Sequence, residues 1–71
     1  MFVVVPMKFV KWVREGQGQS VIYRYELPEV EDFLRENDMA NYAETSCNIY
    51  GQYGVRFQRE SDAVIFKLAF L

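Results

Sequence analysis

The chain has no histidine, one cysteine, two prolines and four glycines among 71 residues. Each shortage closes off a kind of chemistry. Without histidine, no Ser-His or Cys-His nucleophile pair can form, and a Cys/His zinc site is excluded. Cys47 has no second thiol to pair with, so no internal disulfide staples the chain. It reads as a small buried hydrophobe kept reduced. As a nucleophile it would need a cationic neighbour, and only Arg56 is a candidate. The glycines fall in two turn-like clusters, Gly16-Gln17-Gly18 and Gly51-Gln52-Tyr53-Gly54. Neither opens a helix, so neither is a phosphate cradle. No apolar run is long enough to cross a membrane; the longest runs from Met1 to Met7. A secretory leader would need a basic start and a longer apolar stretch. The expectation is a cytoplasmic, non-enzymatic protein without cofactor or metal.

What is present is apolar bulk and segregated charge. Hydrophobic residues make up 51% of the chain and twelve residues are aromatic. They extend to both ends, which argues against a disordered tail. Such a short domain without staples depends on this apolar content or on oligomerisation. The net charge of −2 offers no general attraction to nucleic acid. Residues 1–27 carry +2, residues 28–44 carry −5 and residues 45–71 carry +1.

Phe2–Arg14 is rich in valine and aromatics and reads as a strand, with Pro6 marking an edge or a bulge. Gly16–Gly18 reads as a three-residue hairpin loop centred on Gln17, with Gly18 in its left-handed position. That register sets Trp12 opposite Ile22, Val10 opposite Arg24 and Lys8 opposite Glu26. Pro28 suits a first helical turn, and Glu29, Glu31 and Asp32 follow where the helix dipole favours negative charge. The helix is expected from Pro28 to about Asn41. Ala43–Tyr50 alternates and reads as a half-buried strand. Its return at Val55–Gln58 is open between two registers: Ile49 opposite Val55, or Tyr50 opposite Tyr53. Ala63–Leu71 is expected to be the last strand, with Val64, Phe66, Leu68 and Phe70 on one face.

The predicted architecture is a single α+β domain over residues 1–71: a five-stranded antiparallel sheet in the order ββαβββ, with one amphipathic helix on one face. The helix side would be closed by Phe9, Val13, Val21, Tyr23, Tyr25, Phe33, Leu34, Ile49, Val55, Phe57, Val64, Phe66, Leu68 and Phe70. The open side would carry Asn48 and Gln58 and the ten candidate partner residues Lys8, Val10, Trp12, Arg14, Ile22, Arg24, Tyr50, Arg56, Ile65 and Lys67.

That open side mixes apolar residues with charge, the composition of a partner surface. The expected function is a small protein-binding module, accessory or inhibitory, that occupies another macromolecule. It would associate with another protein, or with a second copy of itself as a homodimer, through this face. The alternative is a single-stranded nucleic-acid module that stacks bases on Trp12 and Tyr50 among the basic residues. However, no glycine-aromatic strand motif of an RNA-binding sheet is present. Glu29, Asp32 and Glu36 line one helical stripe and form an alternative acidic docking face. A solvated helix surface is the simpler account of them.

Overall fold

A computed structural model describes residues 1–71. Strand β1 (Phe2–Val4) leads into a single 3-10 turn at Met7–Phe9, and then come β2 (Lys11–Glu15) and β3 (Ile22–Glu26). Helix α1 (Pro28–Glu36), β4 (Ala43–Cys47), β5 (Tyr53–Phe57) and helix α2 (Glu60–Phe70) follow. The fold is α+β with antiparallel pairing. The strands form two sheets rather than one of five strands: a three-stranded sheet in the order β1-β5-β4 and a separate β2-β3 hairpin. No helix is long and apolar enough to cross a membrane.

Pro6 ends the first strand instead of bulging it. It stands before the 3-10 turn, where its fixed φ of −58° is tolerated and its missing N–H is not needed. The chain therefore leaves the three-stranded sheet and starts a new one. Central strand β5 bonds to both neighbours in alternation. The Phe57 N–H donates to the Met1 carbonyl at 2.7 Å, the Val5 N–H to the Tyr53 carbonyl at 2.9 Å, and the Gln58 N–H to the Tyr42 carbonyl at 2.9 Å. Gly54 is buried, and a Cβ there would collide with the Val3 carbonyl oxygen. Glycine thus lets β1 lie close against β5.

The β4-β5 register sets Ala43 opposite Phe57, Thr45 opposite Val55 and Cys47 opposite Tyr53. Both registers expected from the sequence are displaced. The register with Ile49 opposite Val55 is out by four residues, an even number, so its faces survive. Ala43, Thr45 and Cys47 do share a face with Val55 and Phe57. The loop from Asn48 to Gln52 explains the shift. The Asn48 side-chain oxygen accepts from the Tyr50 and Gln52 N–H groups at 2.9 and 3.0 Å, which ends the strand there. Ile49 is left at the tip, fully exposed, and Cys47 is exposed rather than buried.

Helix α1 begins at Pro28 as its sequence requires, with Glu29 and Glu31 in the first turn. It stops at Glu36, short of Asn41. Asp38 takes a left-handed φ of 56°, and the Met39 N–H donates back to the Leu34 carbonyl at 2.8 Å. This is a Schellman ending, and Met39 closes it by burying its side chain in the core with Leu34.

Residues 60–70 are helical, not a strand. Glu60 and Asp62 lie in the first turn and Lys67 in the last, matching the dipole at each end. Ala63 and Phe66 are buried and Phe70 half-buried, the i, i+3, i+7 spacing of a helix face. Asp62 is buried but paired, its Oδ2 2.7 Å from Arg59 Nε. The Arg59 guanidinium in turn lies 3.8 Å from the Tyr42 ring centroid.

Both helices cover one face of the three-stranded sheet. The core joins Val3, Val55 and Phe57 to Leu27, Val30, Leu34, Ala63 and Phe66. Phe66 is its centre, with ring centroids 5.3 Å from Phe57, 5.8 Å from Phe33 and 4.6 Å from Phe70. Tyr23, Ile49, Val64 and Leu68, expected in this core, are exposed. Val3, Val5, Leu27, Val30, Met39 and Ala63 take their place.

Candidate interaction surface

The hairpin is the part of the chain that leaves the core. Its register sets Trp12 opposite Tyr25, Val13 opposite Arg24 and Arg14 opposite Tyr23. This is three residues from the register expected with a three-residue loop, an odd number, so the partners of Trp12 change face. The connection is longer than expected, running from Gly16 to Val21. Gly16 (φ 96°) and Gly18 (φ 60°) supply its left-handed positions, and a Cβ on Gly16 would strike the Ser20 carbonyl.

Two unlike faces result. One carries Trp12, Arg14, Tyr23 and Tyr25. The other carries Lys11, Val13, Glu15, Ile22, Arg24 and Glu26. On the second face Arg24 is held by Glu15 and, at 3.1 Å, by Glu26. These carboxylates raise its pKa above the ordinary arginine value.

The first face joins the arm to the body. Tyr53 of β5 receives Tyr25 at a centroid distance of 4.4 Å and Trp12 at 5.8 Å. Trp12 and Tyr25 are also in edge contact at 6.4 Å. Desolvation in this seam pushes the Tyr25 phenol above 10.0, with Cys47, Tyr53 and Glu31 adding to the effect. Beyond the seam the arm is open to water: Trp12 is 54% exposed and Tyr23 65%.

The ten residues assigned to one open face are dispersed. Trp12 and Arg14 lie on the aromatic face of the hairpin, and Ile22 and Arg24 on its reverse. Lys8 is on the 3-10 turn, exposed, with its ammonium 5.3 Å from the Phe9 ring. Val10 is half-buried against the core. Tyr50 is on the Asn48–Gln52 loop. Arg56 lies between Phe2 and Glu44 on the outer face of the three-stranded sheet. Ile65 and Lys67 are on α2, not on a sheet. Glu29, Asp32 and Glu36 are exposed on α1 as expected, with Asp32 paired to Arg35.

Tyr23, Tyr25 and Tyr53 were not among those ten. The signal for Tyr53 was its place in the alternation Tyr53, Val55, Phe57, which puts it in a strand rather than a turn. Two shallow hollows flank the start of β4. One is lined by Leu34, Arg35, Ala43 and Thr45, the other by Tyr42, Glu44, Arg56 and Gln58. Of the residues placed on the open face from the sequence, Arg56 and Gln58 border the second hollow and none borders the first. No protein-family model, curated protein or solved structure matches this chain.

Proposed function

We propose that this is a small non-catalytic module that binds another protein through the aromatic face of its hairpin arm, in an accessory or inhibitory role by occupancy. The observation that carries this reading is the exposure of Trp12 and Tyr23 beside Arg14 on a two-stranded arm. Trp, Tyr and Arg dominate the energetics of protein interfaces. An isolated two-stranded hairpin is marginal in water and gains from a covering partner.

The same face could stack single-stranded bases, which is the second reading. The charge arrangement favours protein. Arg14 is the one cation on the aromatic face, Arg24 is held by two carboxylates on the reverse and Arg56 lies on the other sheet, so no row of cations follows the aromatic rings to track a phosphate backbone.

The test uses two immobilised baits in parallel, wild type and Trp12→Ala/Tyr23→Ala, with quantitative comparison of the proteins each retains. The module reading expects at least one protein held by wild type and depleted about tenfold or more on the double variant, a difference of ~1.4 kcal/mol. Identical retained sets on both baits would sink it.

A further inference from the structure

We propose that α2 is a self-association surface, pairing antiparallel with α2 of a second copy about a two-fold axis close to Val64 and Ile65. This goes beyond the hairpin reading and does not depend on it.

Helix α2 is apolar on both sides. Ala63, Phe66 and Phe70 face the core, while Val64, Ile65, Leu68 and Leu71 face outward, with Leu68 83% exposed. At 3.6 residues per turn, Ser61, Val64, Ile65, Leu68 and Leu71 fall in one arc of about 120°. A helix apolar all round is ordinarily covered all round. Only the inner side is covered by this chain.

Charge selects a second copy as the occupant. The chain carries −2 overall and its other helix is strongly acidic, so a two-fold pairing through α1 would set like charges together. The outward side of α2 is locally neutral. Asp62 is buried against Arg59, which leaves Glu60 and Lys67 as the exposed charges. These two are seven residues apart, two turns along one flank of the stripe. In an antiparallel two-fold pair each flank meets itself, so Glu60 approaches Lys67 of the second copy and Lys67 approaches its Glu60. The same axis places Leu68 over Ser61 of the other helix, where a small side chain leaves room. Val64 and Ile65 meet at the centre, and the helix dipoles are opposed in the favourable sense.

Four apolar side chains from each copy make a small contact, below about 1,200 Å² in total. The expected dissociation constant is on the order of 10–100 μM.

Sedimentation equilibrium on the intact chain from about 10 μM to about 1 mM spans that range. The particle mass is expected to rise from 8.4 kDa toward twice that value. Leu68→Glu should weaken association at least about tenfold, whereas Trp12→Ala should not move it. At low salt, Glu60→Lys and Lys67→Glu should each weaken association several-fold, and the double reversal should restore most of it. Helical content read in parallel separates loss of pairing from loss of folding. A wild-type mass of 8.4 kDa throughout would overturn the proposal, as would a dimer indifferent to Leu68→Glu. So would a double reversal no better than the single ones.

Discussion

The rings of Trp12 and Tyr53 meet edge to face, with centroids 5.8 Å apart and planes at 87°. This contact crosses from the hairpin to the central strand of the other sheet. Together with the Tyr25–Tyr53 contact it seats the arm on the body, while more than half of Trp12 stays open to water. The residue that docks the arm is therefore also the one proposed to meet a partner.

Trp12→Ala should lower global stability only modestly, by about 1 kcal/mol, the typical worth of an aromatic pair beyond its area. Its larger effect should be local. Amide hydrogen exchange across residues 11–26 should accelerate, while β5 and α2 keep their protection. Uniform acceleration through the whole chain would contradict a separately seated arm.

Tyr25 should titrate above the ordinary phenol value. Its folded-state pKa is raised above 10.0, chiefly by desolvation, so the folded state holds the phenolic proton more tightly than the unfolded state does. The sign follows: this contribution to stability is complete below pH 10 and is lost as pH rises through the folded value. Ultraviolet difference absorbance should show a late phenol in wild type that is lost in Tyr25→Phe. A Tyr25→Phe variant that keeps the late phenol would refute the assignment.

Asp38→Gly should stabilise the protein. The left-handed φ of 56° strains a residue with a side chain, and an acid just past a helix C-terminus opposes the dipole. The gain should be about 0.5–1 kcal/mol, a rise in Tm of roughly 2–8 °C for a domain of this size. Asp38→Val should be destabilising by about 1–2 kcal/mol. Calorimetry on the pair checks both signs.

Phe66→Ala should be the most damaging single truncation. The ring is fully buried among Phe33, Phe57 and Phe70, and deleting a buried phenylalanine costs about 3–5 kcal/mol. That is roughly half of the whole stability of a 71-residue domain, about 7 kcal/mol at roughly 0.1 kcal/mol per residue. The variant should keep only about 2–4 kcal/mol and unfold at a much lower temperature and denaturant concentration than wild type, read by circular dichroism. A cooperative transition within 1 kcal/mol of wild type, read with a margin of about that size, would show that Phe66 is not the centre of the core.

Much of the fold was legible in local signals, and the losses have physical causes. Pro28 with the acids behind it marks the start of α1, because both act within one turn. Its end was missed because Asp38 adopts a left-handed conformation usually signalled by glycine. The β4 and β5 faces were legible because alternation is local, but register depends on the Asn48 side chain, whose bonds to Tyr50 and Gln52 no apolar pattern reveals. Residues 63–71 are almost continuously apolar and satisfy a period of two as well as one of 3.6. The arbiters were Glu60 and Asp62 at one end and Lys67 at the other, which read equally well as a turn and a strand charge. A strand over these residues would put Ile65 and Lys67 on a sheet, whereas the helix carries both. The three-residue shift in the hairpin then separated Trp12 and Arg14 from Ile22 and Arg24. Trp12 and Arg14 do share one face, but the tyrosine exposed beside them is Tyr23, which the apolar pattern places in the core, while Tyr50 lies on a separate loop.

Trp12 is the only tryptophan in the chain, so its emission reports directly on the arm. The decisive measurement is a fluorescence titration of the intact protein with the purified protein retained by the wild-type bait, run beside a titration with oligothymidine at low salt. A saturable change in Trp12 emission with the protein, and none with the oligonucleotide, is the predicted result. Unchanged emission at saturating protein, or a saturable response to oligothymidine, would contradict a protein-binding arm.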